Sequence, residues 1–185
     1  MIELVIVDYC CRCHPIIKRI FAKTFTMKHV SLGSIEKAIQ KVDNLDEDSL
    51  EKLAETYALA QPTLLGYVMS AATEYKNDKL EGLLIYYFCL ICEAFLQEGV
   101  QINIIEENDI DVFEEPFFEM LDQYFNQEDE EIINDFNDQP EMTRFMMIEV
   151  STEDVDGTSL DDDTATQLFI VTLAMISLMN KAIKT

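Results

Sequence analysis

The residues best equipped for chemistry lie in two cysteine clusters. "YCCRCHP" sets Cys10, Cys11, Cys13 and His14 side by side, and Cys89-Leu90-Ile91-Cys92 adds a second C-x-x-C pair. Thiolates and an imidazole at these spacings can hold a tetrahedral zinc ion, so Cys10, Cys13, His14, Cys89 and Cys92 are the candidate ligands. The surroundings argue for a simpler role. Cys89 and Cys92 sit among Tyr-Tyr-Phe and Glu-Ala-Phe, without the turn residues of a zinc ribbon. Free cysteine commonly serves as a small core residue. Cys10 and His14 are four apart and would share a helix face, but no third residue presents itself to orient the imidazole.

A second chemical pattern is "TEDVDGTSLDDD", residues 152–163. Asp154, Asp156, Gly157 and Asp163 match positions of an EF-hand loop, while Thr152 stands where the first aspartate belongs and Ser159 where an aliphatic belongs. A polar loop followed by a helix cap explains it more simply. All five glycines are isolated, which excludes a phosphate-cradling loop. Two histidines, His14 and His29, exclude both H-E-x-x-H and paired Glu-x-x-His sites. No catalytic residue, metal or cofactor is therefore expected. A small metal- or cysteine-dependent enzyme built on Cys10, Cys13 and His14 is an alternative reading.

The stronger signal is charge. The net charge is −23, unevenly spread. Residues 12–41 carry seven Lys or Arg against Glu36 alone; residues 98–163 carry 23 Asp or Glu against Arg144 alone. Phosphate would meet a negative field over most of the chain, so direct nucleic-acid binding is not expected. Within the acidic part, "DVFEEPFFEMLDQYFNQEDEE" (111–131) interleaves carboxylates with aromatics and has no base at all. On a helix, Ile110, Phe113, Phe117, Met120, Leu121 and Tyr124 share one face and Asp111, Glu115, Glu119 and Asp122 the other. Phe118 and Phe125 fall on the flank.

Some of this acid has a local reason. If Pro116 marks a helix start, Glu114 and Glu115 sit where the macrodipole favours anions, as do Glu128 to Glu131 before the next helix. The like-charge pair Glu115 and Glu119 has no such reason. Aromatic anchors beside an unbalanced charged rim are the composition of a protein interface. The residues expected to meet a partner are Asp111, Glu114, Glu115, Phe118, Glu119, Asp122 and Phe125.

The elements that must position these residues read as one mainly α, multi-helix bundle over residues 1–185. Five glycines are too few for a turn-rich β-fold. Helices are expected over about 15–28, from a Ser34 cap, through "DEDSLEKLAETYALAQ", after Pro62, over "NDKLEGLLIYYFCLICEAFLQEG", over roughly 110–126 and 128–138, and over about 160–184. Residues 2–8 fit strand or helix equally. "VQINIIEE" reads as a strand or extended connection, and "RFMMIEVS" (144–151) as a strand that could pair with it or with 2–7.

The N-terminus has no basic secretory leader, and the longest apolar runs, 83–92 and 168–179, fall short of a membrane span. Five cysteines without a leader suit a reducing compartment. The expectation is a cytoplasmic, non-enzymatic acidic protein that engages a basic macromolecular partner, such as a nucleic-acid-binding enzyme or a toxin, and inserts in no membrane. A structural subunit of a homo- or hetero-oligomer, pairing its own basic 12–41 segment, is the third reading.

Overall fold

A computed structural model describes residues 29–153 and 157–184. Among them are eight helices and no strand: α1 Leu32–Asp43, α2 Glu47–Ala60, α3 Pro62–Tyr75, α4 Leu80–Gln97, α5 Glu107–Gln127, α6 Glu130–Asn137, α7 Pro140–Ser151 and α8 Asp162–Lys181. The mainly α bundle expected from composition is the observed fold. The expected helix over 15–28, the choice between strand and helix at 2–8, and Cys10, Cys13 and His14 lie outside the described residues.

Two helices organise the bundle. α4 is buried without a break from Tyr87 to Phe95, and α8 from Val171 to Met179. A helix apolar all round must be covered on every side. α1, α2 and α3 cover α4; α3, α5, α6 and α7 cover α8; and α4 and α8 pack against each other. α4 reaches 18 residues, so by length and composition it is long enough to cross a membrane, which the shorter run 83–92 is not; most of its residues are buried inside the bundle.

Local chemistry starts several helices where the sequence places them. Asp46 accepts from the Ser49 N–H at 2.9 Å to cap α2, and Pro62 occupies the first turn of α3, where a missing N–H costs nothing. Asp129 accepts from the Glu131 N–H and caps α6.

Three expectations are corrected. Ser34 does not cap α1: the helix begins at Leu32, and Ser34 is buried inside its first turn. The carboxylate of Glu98, at the end of α4, takes the capping role instead, accepting from the Ser31 N–H (2.9 Å) and from the Ser31 and Ser34 hydroxyls (2.7 and 2.8 Å). An anion there also complements the helix dipole. Second, "RFMMIEVS" is no strand but part of α7, started by Pro140 and burying Met142, Thr143 and Met146. The loose alternation of 144–151 yields to that one-turn spacing against α8. Third, Pro116 lies inside α5, which begins nine residues earlier, at Glu107. Pro116 and Val112, one turn before it, are both exposed, so the hydrogen bond lost to the ring falls on the solvent side of the helix. The segment 101–106 forms no strand and makes an isolated bridge, Ile102 to Ile183, just past the end of α8.

Among the described residues one charged side chain is fully buried. Glu93, fully buried on α4, accepts from Lys41 Nζ of α1 at 2.6 Å, from the Tyr57 hydroxyl of α2, and from Gln97 Nε2 at 2.6 Å. Burial pushes this carboxyl up, but the three donors and the lysine charge outweigh it and hold the group below the usual carboxylate range. Because its folded value is depressed, Glu93 contributes stability above its unfolded value and loses it as pH falls through the folded one.

Lys41→Met removes the only charged partner Glu93 has among the described residues and leaves burial dominant. We expect it to destabilise by roughly 3 kcal/mol near neutral pH. The difference from wild type should shrink as pH falls from the raised value Glu93 has in the variant down through its depressed wild-type value, because a protonated Glu93 no longer needs the lysine. Urea unfolding of both proteins across that range checks this; a pH-independent difference would assign Lys41 a packing role alone.

Candidate acidic interface on α5

α5 is aimed by its apolar stripe. Ile110, Phe113, Phe117, Met120 and Leu121 are buried, and Tyr124 half-buried, as the helical wheel predicts. Phe113 and Phe117 stack with centroids 4.8 Å apart, and Phe136 of α6 closes on both. The ammonium of Lys181 lies 5.0 Å from the Phe113 centroid and 4.5 Å from that of Phe136. The aromatic pair and this cation pin α5 and α6 to the end of α8, and burial lowers the lysine pKa from its ordinary value.

This packing turns the acids outward. Asp111, Glu115, Glu119 and Asp122 are exposed and Glu114 is half-buried. Among the described residues the ion pairs are His29–Asp138, Lys41–Glu93 and Lys79–Asp161; none involves a carboxylate of α5. The mid-helix position of Pro116 removes the dipole explanation for Glu114 and Glu115. The acids in the first turn are Glu107 and Asp109, the latter accepting from the Glu106 N–H at 3.0 Å. Glu114 and Glu115 lie about two turns in, beyond the reach of the N-terminal dipole. The local explanation does hold for Glu130 and Glu131, which begin α6.

Phe118 and Phe125 are 50% and 51% exposed, against 1% for their neighbour Phe117. The two half-exposed rings do not share a pocket. Phe118 lines a shallow groove of about 50 Å³ with Glu114, Tyr67, Glu74 and Tyr75, over Val171 and Ala174 of α8. The Tyr67 phenol there is pushed up to about 12 by burial and by the nearby Glu114 and Glu74 carboxylates. Phe125 lines a larger cleft of about 690 Å³ between α5, α7 and α8. Its half-buried neighbour Tyr124 also has a raised phenol, from burial and then Glu130 and Glu128.

Tyr67, Glu74 and Tyr75 were not among the residues expected at this face. They come from α3, and no sequence pattern links that helix to α5. Phe169, Leu160 and Glu153 enter the second cleft in the same non-local way.

The cysteine candidates separate. Cys89 and Cys92 are both buried in α4, and burial pushes the Cys89 thiol up to about 11 and the Cys92 thiol further. A thiol held protonated is a poor nucleophile and a poor ligand. Among the described residues no group of three or more His, Cys, Asp or Glu is placed to hold a metal. In the loop that resembles an EF-hand, Asp154 and Asp156 lie outside the described residues, and Asp161 is engaged by Thr164 and Lys79. No protein-family model, curated protein or solved structure matches the chain.

Two outcomes follow. Phe117→Ala should cost ~3–5 kcal/mol, whereas Phe118→Ala should cost under about 1 kcal/mol. Denaturant unfolding of the pair measures the difference, and equal losses would place Phe118 in the core. In the native protein, Cys89 and Cys92 should resist alkylation near neutral pH and react only on unfolding, read by peptide mass spectrometry; ready native labelling would contradict their burial.

Proposed function

We propose that this protein is a non-enzymatic acidic binding protein whose α5 face engages a basic macromolecular partner. One observation carries the reading: an exposed row of carboxylates with no basic partner among the described residues, edged by two half-exposed phenylalanines. Carboxylates spaced along a rigid helix attract Lys and Arg and accelerate encounter. The aromatic rings supply the apolar area from which most binding energy comes. The like-charge pair Glu115 and Glu119 costs the free protein a few tenths of a kcal/mol, which a basic partner would relieve.

A partner of this kind is a protein that itself handles polyanions, either a nucleic-acid-binding enzyme held by a phosphate-like surface or a basic toxin held inactive. A nucleic acid would be repelled by the same surface.

The decisive experiment is recovery of bound proteins from the source cells at low and at high salt, with wild type beside the double variant Glu115→Lys and Glu119→Lys. The variant should fold as well as wild type or slightly better, since the two lysines, though alike in charge, gain Asp111 and Asp122 as opposite charges at i,i+4 and i,i+3 spacing. A basic protein retained by wild type at low salt, diminished at high salt and lost by the variant would support the reading. A protein retained equally by both would place the binding surface elsewhere.

A further inference from the structure

The cleft beside Phe125 carries the identity of the partner group further. It opens between the C-terminal part of α5, the end of α7 and the start of α8. Its floor is aromatic, from Tyr124, Phe125 and Phe169, and its rim is acidic, from Glu130, Glu153 and Asp162. No Lys, Arg or His is among its described lining residues. Tyr124 stands edge-on to Phe125 with centroids 5.2 Å apart, and tilted to Phe169 at 6.4 Å. Phe169 is nearly buried while Phe125 is half exposed, so the floor is anchored in the core and one ring is open to an incoming group.

We propose that this cleft seats an arginine side chain of the basic partner, its guanidinium lying on the ring of Phe125 and hydrogen-bonded by the rim carboxylates. The inference rests on the function proposed above and names the anchor for it: the outer face of α5 steers and the cleft holds.

Three physical considerations select this occupant. An anion is repelled by three carboxylates. A hard divalent cation needs converging oxygens, and the described residues place no group of three acids for one. An organic cation satisfies both halves of the site, because a ring face attracts positive charge and a carboxylate accepts its N–H groups. Arginine fits better than lysine, because its planar guanidinium stacks on a ring while still donating sideways. A volume of about 690 Å³ also admits the backbone on either side of the arginine. The chain solves the same chemistry internally where Lys181 lies over Phe113 and Phe136. The Phe125 cleft has the same kind of rings, and its described lining supplies no cation.

The test uses the full chain and fluorescent nona-arginine and nona-lysine peptides, titrated at physiological salt and read by anisotropy. Three variants are compared: Phe125→Ala; the rim pair Glu130→Gln with Glu153→Gln; and, matched to the rim pair in charge, Glu115→Gln with Glu119→Gln. Phe125→Ala and the rim pair should each weaken nona-arginine roughly tenfold, and the outer-face pair about threefold or less. Nona-lysine should bind wild type more weakly than nona-arginine. Equal weakening by the two charge-matched pairs, with Phe125→Ala binding like wild type, would overturn the cleft assignment while leaving the acidic-surface reading standing. No binding of either peptide to wild type would sink both. Concentration-dependent self-association abolished by Phe125→Ala would show the cleft filled by a second copy and would also overturn it. Circular dichroism confirms folding of each variant, and the rim pair decides if Phe125→Ala does not fold.

Discussion

Everything in this bundle answers to the need to surround two helices that have almost no polar face. α4 and α8 present buried residues in every direction. Burying a large apolar side chain is worth about 1.5–3 kcal/mol, so the chain gains most by keeping both helices dry. Six other helices serve that end. Each covers with a single stripe, which leaves its opposite side free for whatever the sequence places there. The acidity of the molecule is thus compatible with its core, because the acids occupy the backs of covering helices.

Covering from several directions creates corners, and polar side chains lock them. Gln61 donates to the Asn103 carbonyl and accepts from the Ile105 N–H, tying the α2–α3 corner to the segment before α5. Asn77 reaches Thr164 and Gln167, and Lys79 reaches Asp161, joining the α3–α4 corner to the start of α8. Gln139 accepts from the Val30 N–H and donates to Asn180, holding the entry to α1 against α7 and α8. Glu93 is the extreme case, a carboxylate at the centre of three helices. An unpaired charge there would cost several kcal/mol, so α1 and α2 must arrive with Lys41 and Tyr57 in place. These bonds favour one arrangement of the covering helices over others of similar apolar burial.

The proposed function depends on that arrangement more than on any single residue. α5 is held by its aromatic stripe and by Lys181, so its outward carboxylates form a rigid row. Rigidity matters for recognition, since a preformed surface loses little entropy on binding. The repulsion along that row is tolerable because each carboxylate is solvated; buried, the same residues would forbid the fold.

Local features of the sequence determined a good part of this. Scarce glycine, apolar residues at one-turn spacing, the acidic start of "DEDSLEKLAETYALAQ" and Pro62 at a helix start made the all-α class, α2 to α4 and the buried stripe of α5 legible. Such signals act between residues within one or two turns, where neighbours in sequence are neighbours in space. The half-exposed flank of Phe118 and Phe125 was legible for the same reason. What the tertiary structure alone decided is everything that depends on a distant partner. Pro116 sits mid-helix because the side of the helix it disturbs faces solvent, and this leaves Glu114 and Glu115 without dipole support. Residues 144–151 are helical because α8 accepts Met142 and Met146 on one face. Ser34 is internal because Glu98 caps α1 from another helix. Phe118 and Phe125 enter different clefts because α3 meets one and α7 the other. The energy of a carboxylate or a ring depends on the groups that surround it, and chain order does not record which helices will bring them.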